Sequence, residues 1–294
     1  MAMKIIFHCD DTGATSCMTK RILETWKAGF IDGFSILANG DATSEVCLGL
    51  LSDPDRDVRI AVHLNLCEGK SLTQPCDIPL LVDSRGNLKQ SFVGLLVLWL
   101  ISSNVKRQAL LRQVEREWRA QITEVKRICR PRKVTGVDSH INIHMLPFLF
   151  SVAARLAKEE GIPEIRMSNE AAFYFSSRFV ESFSLAFLVN VIKFLVLRAC
   201  SWSVRRFSKE HGLTGPDALV GILYTGRMTR TTAKSGIAAA LRKGLRVIEV
   251  VFHIGRASNR ESSRWEHRRG LSAFPLSERR DMEYFELMAL RKEM

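Results

Sequence analysis

Six side chains in this chain are of the types that do hydrolytic chemistry at an ion: Asp10, Asp11, His63, His140, His144 and His253. One carboxylate and two imidazoles make an open three-ligand set that keeps a coordination position for water. A spare carboxylate and a spare imidazole complete the parts for metal-assisted amide hydrolysis: activated water, general base and general acid. Asp10 and Asp11 end the apolar run of KIIFHCDDTG, residues 4–13. Successive strand side chains point to opposite faces, so both acids share one site only if regular pairing stops there, and Thr12 and Gly13 offer such a stop. The alternative is a solvated Asp-Asp turn closing a buried strand.

His63 lies in VRIAVHLNLCEG, residues 58–69, where Ile60, Val62, Leu64 and Leu66 fall on one face and Ala61, His63 and Asn65 on the other. In VTGVDSHINIHMLP, residues 134–147, a strand would put Asp138, His140, Asn142 and His144 on one face, whereas a helix start would put His140 and His144 at i and i+4. Both readings bring the two imidazoles together, and Asp138 is suited to orienting a ligating imidazole from behind. LRVIEVVFHIG, residues 245–255, places Val247, Glu249, Val251 and His253 on one face and ends in the same way as the first strand. For each histidine taken singly the alternative is a structural residue at a strand end.

These residues need a frame that delivers strand ends to one place. Ser16 to Gly29 reads as a helix, with Ile22, Leu23 and Trp26 at helical spacing and Gly29 as its stop. Residues 33–39 read as a strand, 43–51 as a helix, 58–66 as a strand, 105–129 as a long amphipathic helix and 148–160 as a helix. Residues 162–168, carrying Arg166, and part of 216–228 read as strands, 229–244 as a helix, and 277–292 as an exposed outer helix. Strands alternating with helices predict parallel βα units with function at the carboxyl ends of the strands.

Two segments are unusually apolar, residues 91–104 and 182–204. The first is too short to span a bilayer and reads as a core helix; the second approaches spanning length but contains Asn190, Lys193 and Arg198 and is followed by Arg205 and Arg206. An interfacial or re-entrant helix suits the second, with a core helix or a homodimer face as its alternatives.

The chain has 294 residues, with 43 Lys and Arg against 31 Asp and Glu, a formal charge of +12. That balance favours an anionic partner. The basic residues are dispersed and no recognition motif accompanies them, so nucleic acid is not the expected one. Seven cysteines without a CxxC pair fit a reducing compartment. No signal peptide opens the sequence, and a functional acidic pair leads us to expect that the mature protein starts where the sequence starts.

The ordered motifs CDDTG, AVHLNLCEG, VDSHINIHMLP, Glu164 to Arg166 and IEVVFHIG resemble those of the YdjC-like carbohydrate deacetylases, which include chitooligosaccharide deacetylase and relatives acting on lipid-linked amino sugars. The resemblance implies a single deacetylase domain over residues 1–294, an α/β fold of the distorted (β/α) barrel type of polysaccharide deacetylases, and a divalent metal ion, Zn or Mg. By motif position it makes Asp11, His63 and His140 the metal ligands, Asp10 the general base, His253 the general acid or oxyanion partner, and Arg166 a stabiliser of the base or of developing charge. His144, Asn65 and Asp138 are further candidates. The family's ADDFG is here CDDTG, its DSHQHVH has Asn142 at the middle histidine, and its HPG is HIG at His253; none of these changes deletes an implied ligand.

Combined with the apolar segments and the charge, the resemblance implies a peripheral protein on the cytoplasmic face of an anionic membrane. Its substrate would be an acetamido sugar linked to undecaprenyl phosphate, in lipid A modification of the cell envelope. Alternatives are a glycosylated hopanoid, a soluble chitooligosaccharide, or a non-catalytic sugar-binding protein on the same scaffold.

Overall fold

A computed structural model of the chain describes residues 3–172, 185–262 and 274–294. Strand β1 (Lys4–Thr12) lies between β2 (Gly33–Ile36) and β7 (Val247–Phe252) in a seven-stranded parallel sheet. Outside β2 come β3 (Arg59–Leu64), β4 (Gly136–Ser139) and β5 (Glu164–Ile165); outside β7 comes β6 (Ala218–Val220). The two edges approach each other through isolated parallel bridges, Glu164 with Thr214 and Glu170 with Leu219. The sheet therefore curls into a distorted α/β barrel, as expected, and all strands deliver their carboxyl ends to one mouth.

Burial on both faces explains the composition of the strands, because a parallel sheet covered by helices has no solvated side. In β1 every residue from Ile6 to Thr12 is buried. Helix α1 (Ser16–Lys27) starts where the Thr15 hydroxyl accepts from Met18 N, and it buries Met18, Ile22, Leu23 and Trp26. It stops at Gly29, whose φ of 81° suits glycine. Helix α2 (Thr43–Leu51) returns the chain to β3.

Helix α4 (Asn104–Ile128), capped by Ser103, buries Val114, Trp118, Ile122 and Val125, most of the expected stripe. It also buries two polar residues: Glu117 accepts from Leu72 N and Thr73 N, and Gln121 exchanges hydrogen bonds with the backbone of Asn65. These bonds moor the long loop after β3.

The expected core helix over 91–104 is observed as α3 (Phe92–Ile101), but it is not a core helix: Leu95 is its buried residue, while Val93 is 67% and Ile101 75% exposed. It docks through Trp99, stacked on Phe148 at the start of α5 (Pro147–Glu159) with ring centroids 4.2 Å apart. The second apolar segment gives α6 (Leu185–Glu210); its first residues, 182–184, lie outside the described ones. By length and composition α6 could cross a membrane. Phe194, Leu197, Ser201 and Val204 form its buried side, whereas Leu188, Val189, Ile192 and Leu195 are exposed.

Helix α7 (Arg230–Arg242) begins with a Thr229/Thr232 capping box and returns the chain to β7, and a short α8 (Asn259–Ser262) follows. The closing helix α9 (Arg279–Glu293) is not simply an outer helix. Its buried stripe is Arg280, Glu283, Leu287 and Leu290, which carries two charged residues into the barrel mouth.

Gly40 ties the β2 turn to the loop after β1, since a Cβ there would stand 2.0 Å from the carbonyl oxygen of Gly13. Backbone meets backbone at that point, so the clash cannot be relieved by a rotamer change. Gly40→Ala is expected to cost about 1–3 kcal/mol, the range for overpacked sites. Urea denaturation should show a lower midpoint at unchanged slope; an unchanged midpoint would mean the two loops are not held together here.

Candidate active site and metal centre

The site begins with an irregularity in β1. Pairing with β2 runs from Cys9 opposite Phe34 to Thr12 opposite Ile36, so β1 carries one residue more than its partner over that span. Asp11 takes the extra step with φ 66°, a left-handed conformation that aspartate tolerates better than most residues. The bulge breaks the strand alternation and lets Asp10 and Asp11 both reach the barrel mouth, where both are buried.

Asp11 faces two imidazoles. Its Oδ1 lies 3.1 Å from His140 Nδ1 and 3.5 Å from His63 Nε2, and the three residues form a cluster of the spacing that can hold an ion. Behind His63, Asp138 Oδ1 lies 2.7 Å from Nδ1, which fixes the tautomer with Nδ1 as donor and leaves Nε2 towards Asp11. Behind His140, Glu68 Oε1 lies 2.7 Å from Nε2. On the far side of Asp11, Arg280 Nη1 donates to Oδ2 at 3.2 Å while its Nε donates to the carbonyl of Gly255.

The electrostatics of this cluster favour a cation. Although burial works against it, hydrogen bonds from His140 and His63 hold Asp11 well below the usual carboxylate range. Burial equally opposes charging of His63, yet Asp138 and Asp11 draw its pKa up to about 9. His140 is also raised, against burial, by Asp11 and Glu68. Two imidazoles that attract protons in a buried acidic setting are suited to exchanging those protons for a divalent ion. The donor set of one carboxylate and two imidazoles, each backed by a further carboxylate, thus fits a metal of the Zn²⁺ type.

Asp10 is held differently. Arg166, just beyond β5, donates from Nη1 to Asp10 Oδ2 and from Nη2 to Oδ1, both at 3.0 Å. The same guanidinium lies 2.7 Å from Glu249 Oε1 and 2.8 Å from Asp138 Oδ2. Burial raises the cost of charge on Asp10, and Arg166 outweighs it, so the carboxyl is lowered and ionised. His8 completes this layer, with Nε2 2.7 Å from Ser35 Oγ and Nδ1 3.3 Å from Glu249 Oε1. His8, Asp10 and Asp138 also have ion-holding spacing, but the Arg166 guanidinium already touches both carboxylates.

His253 follows β7 on the same mouth. Its backbone N donates to Glu283 Oε2 at 2.7 Å, its ring stands edge-on to Phe274 with centroids 5.4 Å apart, and Nδ1 has no hydrogen-bond partner among the described residues. Burial lowers its pKa to about 4 despite Asp11 and Asp10, so the ring is neutral near pH 7.

The remaining candidates are not at the ion cluster. After His140 the chain enters a 3₁₀ turn, His140–Met145, in which Ile141 and Asn142 have φ of 49° and 59°. This segment is therefore neither a continued strand nor an α-helix start, and His144 leaves the face of His140. Its Nε2 donates to the carbonyl of Arg166 at 2.8 Å, and Nδ1 accepts from Ser139 Oγ at 2.5 Å. His144 thus props the backbone of Arg166. Asn65 braces the loop carrying Glu68, donating to Asn39 Oδ1 and to the Glu68 carbonyl while accepting from Cys67 N.

Sequence reading did not single out Glu68, His8, Ser35, Glu249, Arg280 or Glu283. Strand alternation marks His8 and Glu249, which share faces with Asp10 and His253; nothing local marks Arg280.

Comparison with known proteins places the chain. It is 28% identical over 161 residues to a carbohydrate deacetylase of Oceanobacillus iheyensis and 26% over 161 residues to one of Brevibacillus brevis. The alignments take in 55% of this chain and 64% and 58% of those proteins, so the chain spans about three-fifths of the length of these relatives. A carbohydrate deacetylase of Listeria welshimeri is 26% identical over 67% of this chain and 74% of its own length. The barrel superposes on the crystal structure of an Enterococcus faecalis protein, provisionally named for cellobiose-phosphate cleavage, with TM-score 0.63 and 20% identity over 98% of this chain and 95% of that one. The YdjC-like family matches residues 4–291, nearly the whole sequence, and the chain belongs to that family.

Proposed function

We propose that this protein is a metal-dependent carbohydrate N-deacetylase. The observation that carries the reading is the juxtaposition at one barrel mouth of an ion-binding cluster, Asp11, His63 and His140, with an ionised Asp10 and a neutral His253. The relatives named carbohydrate deacetylases support the same reaction class.

A divalent ion held by Asp11, His63 and His140 would polarise the amide carbonyl and lower the pKa of a water. The chain's own groups do the rest. Asp138 and Glu68 keep the two imidazoles aimed at Asp11. Asp10 takes the proton of the attacking water, and because Arg166 holds the carboxyl low, Asp10 gives that proton up readily to the departing amine. A neutral His253 donates a hydrogen bond to the amide oxygen as negative charge develops there, rather than serving as the proton store. The products balance as a carboxylic acid and a free amino sugar.

Our reading of the substrate is an N-acetylhexosamine carried on undecaprenyl phosphate, met by a peripheral protein on the cytoplasmic face of the membrane during lipid A modification. The exposed apolar residues of α3 and α6, with Arg198, Arg205 and Arg206 exposed on α6, support contact with an anionic bilayer.

Two experiments test these readings. Asp10→Asn should keep its bound metal, measured by elemental analysis, and lose acetate release from the lipid-linked sugar by about a hundredfold or more. Asp11→Asn should lose metal as well. Activity retained in Asp10→Asn would sink the proposed base; preference for free chitooligosaccharides over the lipid-linked sugar would sink the substrate. Separately, replacing Leu188, Ile192 and Leu195 together by Asp should abolish sedimentation with anionic vesicles while leaving metal content unchanged. Undiminished vesicle binding would exclude this face as the membrane contact.

A further inference from the structure

Lys193 is a charged residue with no place in the chemistry described above. It lies on α6 between Asn190 and Leu197, on the helix side that faces the barrel. Asn190 Nδ2 donates to the carbonyl of Thr225 in the loop after β6, Leu197 is buried, and one turn further Ser201 Oγ donates to the carbonyl of Ser168 in the segment after β5. The Lys193 side of α6 therefore spans the gap where the two sheet edges meet, beside the strand ends that carry the site. Lys193 is partly covered by its neighbours, and ammonium groups drawn out of bulk water are normally paired. Lys193 has no ion pair or hydrogen bond among the described residues.

Glu170 cannot serve as its close partner, because both of its oxygens accept from the backbone N–H groups of Gly221, Ile222 and Leu223. Asp10 is clamped by Arg166, and Asp11 is shared among His63, His140 and Arg280. Burial draws the pKa of Lys193 down while Asp10, Glu170 and Asp11 pull it up, so the ammonium lies within electrostatic reach of the site but is not bonded to its acids.

We infer that Lys193 is a substrate-contacting residue that binds an anionic group on the sugar, specifically a phosphate on the carbon next to the one bearing the acetamido group. The inference rests on the deacetylase reading for the position of the amide. With the amide at Asp11, His63 and His140, a substituent on the neighbouring ring carbon would lie only one bond further out, towards the rim that α6 borders through Asn190 and Ser201. Most site groups are carboxylates, which repel a phosphate, so a substrate of this class needs a cation at that rim. An ammonium free to rotate three donors suits a phosphate as a point charge.

The test is binding, measured by NMR titration of the metal-loaded protein, with N-acetylglucosamine 1-phosphate and with neutral N-acetylglucosamine. The wild type should bind the phosphorylated sugar about tenfold more tightly, the worth of one charge-assisted hydrogen bond. Lys193→Gln should close that gap and Lys193→Arg should keep most of it. No gap in the wild type, an undiminished gap in Lys193→Gln, or inorganic phosphate alone binding as tightly as the sugar phosphate would overturn the inference. Acetate release is scored separately: a gap without turnover leaves Lys193 as a phosphosugar contact and removes the deacetylase reading, whereas turnover without a gap does the reverse.

Discussion

The bulge at the end of β1 is the constraint on which the site depends. A regular strand would send Asp10 and Asp11 to opposite faces, one towards the barrel mouth and the other into the helical layer. One extra residue and a left-handed Asp11 put both carboxylates in the mouth with different neighbours. Asp11 meets imidazoles and Arg280; Asp10 meets Arg166. The backbone strain is small for aspartate, and it is held by the packing of the next loop, where Gly13 lies against Gly40. Division of labour between two adjacent and chemically identical residues thus comes from backbone geometry.

The second requirement is charge balance. Asp10, Asp138 and Glu249 are buried around one guanidinium, and a single Arg166 cannot neutralise three carboxylates. The deficit is met in part by His63, whose raised pKa is the response of an imidazole to that field. Removing Arg166 would leave uncompensated buried charge, which typically costs about 3–5 kcal/mol. The same imbalance makes the cluster receptive to a divalent cation. Structural support and ion affinity therefore share their source: acids that the fold buries in excess of its own cations.

Much of this was legible in the sequence. Alternating βα units predicted the parallel strands, the family resemblance implied their closure into a barrel, and the strand-end positions of Asp11, His63 and His140 brought those side chains together because parallel strands share one carboxyl end. The behaviour of residues 134–147 was not legible: period two and period 3.6 both pair His140 with His144, whereas two left-handed residues, Ile141 and Asn142, send His144 beneath Arg166. No pattern rule anticipates left-handed isoleucine. Arg280 and Glu283 were hidden for another reason. In a helix sequence, charged residues three apart read as a solvated face, and it is the barrel mouth they cap that turns them inward.

The two apolar helices show the same limit. Composition alone permitted a core helix or an interfacial one for residues 91–104 and 182–204, because an apolar run records what a segment avoids and not what it meets. Packing gives each helix a buried and an exposed side: α3 buries Leu95 and packs Phe92, Leu96, Leu98 and Trp99 against the core, while α6 buries one side and leaves Leu188, Val189, Ile192 and Leu195 exposed. Helix α6 thus has two chemically unlike sides. Its inner side carries Asn190, Lys193 and Ser201 along the seam of the barrel, and its outer side is apolar and flanked by arginines. The proposed substrate, a sugar attached to a lipid, has a polar head, an anionic link and an apolar tail. Helix α6 borders the barrel mouth on one side and presents aliphatic residues on the other, so under the proposed function all three would be met within its own width, about 10–12 Å with side chains.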